Sequence, residues 1–240
     1  MAGRYAARFA ETEADIISAQ ALRFKAFRGG GEGSDADAFD PICKHILVEE
    51  SNTGHLVCTF RLLPLANGAQ IDQSYSAQFY DLASLHAIEG MIVEVGRFCI
   101  DPDCNDPDIL RIAWSAMASF VDDNEVELLF GCTSFSGTNS EEYTDAFALL
   151  KDRYLAPKRW LPKIKAPKVF HFAAKLKLFK PNLKAAQKHM PPLLRTYLLM
   201  GGWVSDHAVV DSELNTLHVF TAMEIGDIPA NRKRWLRMAG

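Results

Sequence analysis

Between Gly90 and Phe135 the chain runs from GMIVEVGRFCI through ILRIAWSAMASFVDDN into VELLFGCTSF. The outer two stretches are short and apolar, as buried strands are, and the first ends at Asp101-Pro102; the middle one spaces its apolar residues as a helix from Ile109 to Val121. Strand, helix, strand in that order predicts parallel pairing and places the chain in the α/β class.

The flanking segments extend this frame. Residues 11–27 place Ile16, Ile17, Ala19, Leu22, Phe24 and Phe27 at near-helical spacing behind an acidic first turn, which predicts a first helix. The stretch GGGEGSDADAFDP must be a loop. KHILVEESNTGHLVCTFRLLP reads as a β-hairpin turning at Asn52-Thr53-Gly54. A short helix is expected near Phe79 to Leu85 and another at EEYTDAFALLKDRYL. A third, in PPLLRTYLLM, stops at Gly201-Gly202, and late strands follow at WVSDHAVV and LNTLHVFTAME. At 240 residues these elements suit a single domain over residues 1–240, a mixed central sheet with helices on both faces.

Charge is divided along the chain. Of 26 Lys and Arg, twelve lie between Arg153 and Ser205, where there is no Asp or Glu; the other 14 share the rest of the chain with all 30 acids. Inside this basic segment, Lys and Arg interleave with Trp160, Leu161, Ile164, Phe170, Phe172 and Phe179, a composition suited to an anionic membrane surface or an acidic protein. Without a helix-turn-helix, RNP or zinc-finger signature, nucleic acid is not an expected partner. The five cysteines are an odd set with no Cys-x-x-Cys, and no His-Glu-x-x-His occurs, so neither a disulfide framework nor a metal is expected. With no 18-residue apolar run and no apolar leader in MAGRYAARFAETEAD, the expected location is cytoplasmic.

The strand from Met91 to Ile100 carries two charges, Glu94 and Arg97, where apolar residues belong. A buried charge is costly without a partner, so each must pair or border a wet cleft. Regular alternation places 94 and 97 on opposite faces unless Gly96 marks a bulge, which would also expose backbone N–H groups.

The run EVGRFCID at 94–101 resembles the Glu-x-x-Arg-Phe strand of acyl-homoserine lactone synthases and of their relatives in the GNAT superfamily, the ornithine N-acyltransferases that make lyso-ornithine lipid. Arg23 and Phe27 match the Arg-x-x-x-Phe spacing of that group, Asp37 and Asp40 its Asp-x-x-Asp, and Arg61 its hairpin arginine. The stretch PPLLRTYLLMGG, followed by Asp211, is similar to the ornithine branch, and the tryptophan that lactone synthases carry after Arg-x-x-x-Phe is replaced by glycines near Gly31 to Gly33.

The resemblance implies a GNAT-like fold and an N-acyltransferase. It also implies a charged network of Arg23, Asp37, Asp40, Arg61 and Arg97, with Phe27 beside the acyl chain. Ordinary GNAT enzymes cradle the coenzyme A pyrophosphate on a glycine-rich turn after this strand. Here that turn is DPDCNDPDIL, with no glycine, two prolines and four aspartates, so free coenzyme A is an unsuitable donor. A donor on acyl carrier protein needs no such cradle, because an acidic carrier can dock on the basic segment.

The expected reaction is transfer of a (3-hydroxy)fatty acyl group from acyl carrier protein to the α-amino group of L-ornithine, giving lyso-ornithine lipid. No cofactor is expected beyond the carrier's phosphopantetheine thioester. Glu94 is the candidate general base, acting through one water, with amides near Gly96 polarising the thioester and Arg97 and Arg61 as orienting cations. Lys158, Arg159, Trp160, Lys163, Lys165 and Lys168 are the expected carrier or membrane contacts, and the block from Trp160 to Phe179, with the tail Arg232-Lys233-Arg234-Trp235, is the expected contact with the inner membrane. Two other readings fit the same residues: an acyl-homoserine lactone synthase consuming S-adenosylmethionine, and a non-catalytic binding module for membrane or nucleic acid on this fold.

Overall fold

The computed structural model describes residues 3–229 and Arg232; of the expected tail contact, Lys233, Arg234 and Trp235 lie outside the described residues. In chain order the first elements are β1 (Tyr5–Phe9), α1 (Glu13–Phe27), β2 (Lys44–Glu50), β3 (Leu56–Leu65), β4 (Tyr80–Asp81), β5 (Ile92–Ile100) and α2 (Pro107–Asp123). There follow β6 (Leu128–Ser136), α3 (Thr144–Arg153), β7 (Lys163–Ile164), β8 (Val169–Phe170), α4 (Phe172–Lys175), α5 (Leu183–His189), α6 (Pro192–Leu199), β9 (Trp203–Val204), β10 (Ala208–Asp211) and β11 (Thr216–Glu224). The chain divides into two compact units, one from residues up to Pro64 and from Val95 to Val126, the other from Leu65–Glu94 and Glu127–Pro229.

In the first unit the strands lie in the order β1-β2-β3-β5. The β2–β3 pair is the expected antiparallel hairpin, with an irregularity between Val48 and Glu49. Helix α1 starts on a reciprocal cap: the Thr12 hydroxyl accepts the Asp15 N–H at 3.2 Å, and the Asp15 carboxylate accepts the Thr12 N–H at 3.0 Å. It ends in the glycine run, where Gly29, Gly30 and Gly31 all take positive φ (80°, 102° and 90°), a conformation that would strain residues with side chains. Helix α2 packs on β1, where Phe120 meets Phe9 edge-on at 6.1 Å. Strand β1 is absent from the sequence expectation: YAARF buries only Tyr5, and its partners are Ile46 to Glu50 of β2, forty residues away.

In the second unit the first residues of β5 pair parallel with β6 (Ile92↔Leu128, Val93↔Leu129, Glu94↔Phe130), as strand-helix-strand order requires. Strand β6 runs antiparallel to β11 from Leu128 to Ser136, β11 to β10, and β10 to β8, so the sheet is mixed and the chain is α/β. The core gathers Phe135, Phe147, Leu150, Phe172, Leu194, Leu217 and Val219. No helix among the described residues is long and apolar enough to cross a membrane.

Two local expectations are corrected. The helix anticipated near Phe79 to Leu85 is instead strand β4 followed by a 3₁₀ turn at Ala83–Ala87. Tyr80 is drawn into pairing with Ile164, and the Asp81 carboxylate caps the Ala83 N–H at 3.1 Å. The stretch WVSDHAVV is two strands, β9 and β10, broken where Ser205 and His207 are held by their own bonds. The Ser205 hydroxyl donates to the His207 carbonyl at 2.7 Å and accepts the Phe220 N–H at 3.1 Å.

Candidate active site

Glu94 is 4% exposed and lies on β5 within the second unit. Its Oε1 accepts the Ser76 N–H at 2.7 Å and the Ser76 hydroxyl at 2.5 Å, and its Oε2 accepts the Tyr75 N–H at 2.8 Å. Both carboxylate oxygens are therefore oriented by a short turn that backbone amides and one hydroxyl anchor. The Ser76 hydroxyl also lies 3.4 Å from the Cys132 thiol on β6. Burial raises the pKa of the Tyr197 phenol on α6, and the negative charge of Glu94 raises it further, so Tyr197 stays neutral near that carboxylate.

A second buried cluster occupies the first unit. Arg23 on α1, 1% exposed, donates through Nη1 and Nη2 to the two carboxylate oxygens of Asp40 at 2.8 and 3.0 Å. Its Nε reaches Asp35 Oδ2 at 3.0 Å, and its Nη2 also donates to the Asp35 carbonyl. Arg61 on β3 grips Asp37 with two bonds, at 2.6 and 2.7 Å, and Asp40 with one at 2.7 Å. Arg97 lies 3.2 Å from Asp35 and 3.3 Å from Asp37, with its guanidinium 5.9 Å from the centre of the Phe27 ring. Three arginines meet three aspartates, so the network is neutral within itself. Burial alone would raise the Asp37 and Asp40 carboxyls, but their arginine partners hold both below the ordinary range.

The irregularity anticipated at Gly96 falls one residue later, with Arg97 at φ 51°. This is a left-handed conformation that a side-chain-bearing residue adopts only when its surroundings enforce it. The Arg61 side chain passes over Gly96, where a Cβ would lie 3.6 Å from Arg61 Nε, an ordinary van der Waals distance.

The turn before α2 uses its own donors. The Asp103 N–H bonds the Asp101 carboxylate at 3.0 Å, the Cys104 N–H the Asp101 carbonyl at 2.8 Å, and the Asp108 N–H the Asp106 carboxylate at 3.0 Å. Pro107, at the first position of the helix, has no N–H. Lys25 Nζ lies 2.6 Å from Asp101 and 2.8 Å from Asp103, and His55 Nε2 lies 3.1 Å from Asp101. Although His55, Asp101 and Cys104 are close enough together to hold an ion, the Lys25 ammonium already supplies the positive charge there.

Structure thus brings together Arg23, Phe27, Asp37, Asp40, Arg61 and Arg97, while Glu94 on β5 is bonded instead to the turn at Tyr75 and Ser76. Sequence reasoning missed Asp35, two residues before the recognised Asp-x-x-Asp. It also missed Ser76 and Tyr75, which act largely through backbone amides and leave no motif. Tyr197 lay inside a quoted motif without an assigned place. All twelve cations between Arg153 and Ser205 are exposed. Of the contacts expected there, Arg159 pairs with Glu224 at 3.3 Å and stacks over Trp160, while Lys165 bonds the Ala77 carbonyl at 2.6 Å. Lys158, Lys163 and Lys168 are exposed, Trp160 is half-buried, and Phe172 is a core residue.

Comparison with known proteins adds to this geometry. An acetyltransferase (GNAT) domain profile matches residues 22–115, which span the arginine-aspartate network and the turn before α2. The fold resembles that of FeeM, an N-acyl amino acid synthase from uncultured soil microbes, with a TM-score of 0.53, 12% identity and 93% of each chain covered. Fold and profile together place a GNAT domain in this chain. The chain is 32% identical to an L-ornithine Nα-acyltransferase of Rhodobacter capsulatus, over 92% of this chain and 90% of that protein. It is 28% identical to one of Agrobacterium fabrum, over 94% and 83% respectively. It belongs to the L-ornithine Nα-acyltransferase family.

Proposed function

We propose that the chain transfers a (3-hydroxy)fatty acyl group from acyl carrier protein to the α-amino group of L-ornithine, forming lyso-ornithine lipid. The names of its relatives support ornithine as the acceptor. The observation that carries the choice of donor is the turn before α2, whose amides are bonded to its own aspartates and carbonyls where a coenzyme A pyrophosphate would need them. A carrier-bound thioester escapes that requirement, because the affinity comes from an acidic protein meeting exposed cations, with Lys158, Lys163 and Lys168 as its contacts.

Chemistry follows from the amine. The α-ammonium of ornithine must lose a proton before its nitrogen can attack the thioester carbon. Glu94 takes that proton through one bridging water, its carboxylate held in register by Tyr75 and Ser76. As the C–N bond forms, negative charge gathers on the carbonyl oxygen and is met by backbone amides of β5 around Gly96. The C–S bond then breaks, the phosphopantetheine thiolate leaves and takes up the second proton shed by the attacking nitrogen as it becomes an amide, and Glu94 returns its proton to solvent. The arginine-aspartate network holds α1 and its following loop against the sheet of the first unit, with Phe27 beside the acyl chain.

The test supplies purified protein with ornithine and either 3-hydroxyacyl carrier protein or the matching 3-hydroxyacyl coenzyme A, and follows products by mass spectrometry. Nα-acylornithine should form from the carrier-bound donor at a far higher kcat/KM. Equal use of both donors would refute the choice of carrier, and no acylornithine from either would refute the reaction.

A further inference from the structure

Five of the eight large apolar side chains exposed among the described residues lie inside the basic segment: Ile164, Leu178, Phe179, Leu183 and Leu199. Three of them share the turn from α4 to α5, where Leu178 is 93% exposed, Leu183 46% and Phe179 41%. A nearly naked leucine usually lies on a segment too loose to fold it away, but this turn is firmly built. Lys151, from α3, reaches beneath it and donates to the carbonyls of Leu176 at 2.7 Å and Phe179 at 3.1 Å. On the far side the Asn182 N–H bonds the Asp145 carboxylate at 2.7 Å, while the Asn182 side chain caps α5 through the N–H groups of Lys184 and Ala185. Phe172 before the turn and Ala186 after it are both fully buried. The fold therefore holds this apolar tip outward. Around it Lys175, Lys177, Lys180 and Lys184 are all exposed, within a stretch that contains no acidic residue.

We propose that the turn from Leu176 to Leu183 is a membrane-insertion element: Leu178, Phe179 and Leu183 enter the acyl boundary of a bilayer while the four lysines meet anionic headgroups. A projecting apolar wedge ringed by flexible cations matches the two layers of a lipid surface, apolar below and anionic above. An acidic protein surface would engage the lysines but offers no general site for the wedge. This insertion deepens the acyl-transfer reading, on which it rests only in that a lipid product must reach a membrane. It also separates two jobs within the basic segment, giving the carrier to Lys158, Lys163 and Lys168 and the lipid to the turn.

The experiment is co-sedimentation of the full chain with vesicles of phosphatidylcholine alone and of phosphatidylcholine with phosphatidylglycerol. Wild type should bind the mixed vesicles and scarcely the neutral ones. The double variant Leu178→Asp, Phe179→Asp should lose about tenfold or more of that binding, as expected for withdrawing buried apolar side chains from lipid, while keeping its acyl-transfer rate with a soluble carrier-bound donor. Undiminished vesicle binding by the variant would overturn the proposal. So would equal binding of wild type to neutral vesicles, or a variant defect in carrier affinity instead of vesicle binding, which would make the tip a protein dock. Should the double variant fail to fold, Leu178→Trp gives an independent reading: brominated lipids in mixed vesicles should quench it more than wild type, and equal quenching would overturn the insertion. Vesicle binding is read without turnover. If the tip binds as expected but ornithine is never acylated, the reaction falls and the tip stands; active enzyme whose variant still binds vesicles sinks only the tip.

Discussion

Replacing Asp40 by Asn leaves the shape of the side chain and removes its charge from a buried site between two arginines. Asp40 accepts from Arg23 at 2.8 and 3.0 Å, from Arg61 at 2.7 Å, and from Gln20 Nε2 at 3.0 Å, and it is 7% exposed. An asparagine retains one acceptor oxygen and turns an NH2 group toward donors. Arg23 and Arg61, 1% and 3% exposed, cannot recover the lost countercharge from solvent. Removing one partner of a buried ion pair costs about 3–5 kcal/mol, against about 0–1 kcal/mol for a surface pair. For a chain of this size that lowers the melting temperature by on the order of 10 °C. Thermal and urea denaturation followed by circular dichroism measure it, and adding Arg23→Met to Asp40→Asn should return part of the loss, because the stranded charge goes with it. A loss below about 1 kcal/mol, or a double variant whose losses simply add, would show that Asp40 is not the buried countercharge of Arg23 and Arg61.

Ser76→Ala removes the hydroxyl bonded to Glu94 at 2.5 Å but keeps the two amide bonds, so acyl transfer should slow by about tenfold while KM for the carrier stays unchanged; an unaltered kcat would count against a held carboxylate. His218 is 2% exposed, and burial pushes its pKa down to about 4 from the ordinary 6.5, so the folded state prefers the neutral ring. Its contribution to stability should be complete above pH 6.5 and be lost as pH falls toward 4, by up to about 3 kcal/mol across that window. His45, also depressed mainly by burial, works in the same direction. Urea midpoints from pH 7 to 4.5 test this, and a flat profile would refute it. Reversing charge at Lys158, Lys163 and Lys168 should raise KM for the carrier-bound donor and leave KM for ornithine unchanged, read by steady-state kinetics at low salt.

What the sequence disclosed and what it hid divide along a physical line. The apolar period of α1, the turn residues between β2 and β3, and the strand-helix-strand order around β5, α2 and β6 are local patterns, and the structure contains all of them. β1 is invisible in sequence because a five-residue strand with one buried side chain owes its existence to its partner. Tyr80 likewise adopts a strand because Ile164 is there to pair with it. The Asp-x-x-Asp spacing found two aspartates of the network, but Asp35 joins through the path of a glycine-rich loop that no periodicity describes. In the basic segment the alternation of lysine and aromatic residues could not say which rings face inward. Phe172 goes to the core, where it stacks on Phe147 at 5.2 Å, and the most exposed of the segment's large apolar residues is Leu178, which no composition argument distinguishes from its neighbours.

The claim on which the chemistry stands is that the Glu94 carboxylate accepts the proton of the acceptor amine. Its most direct test is the single-turnover rate of Glu94→Gln with a carrier-bound acyl group and saturating ornithine. The Gln side chain keeps an oxygen for Ser76 and gives up the basicity. Loss of a positioned general base predicts a rate lower by about 10²–10⁴, with donor affinity unchanged and a deficit well beyond that of Ser76→Ala. A rate close to wild type, or a deficit no larger than that of Ser76→Ala, would reduce Glu94 to an anchor for the turn at Tyr75 and Ser76 and contradict the account.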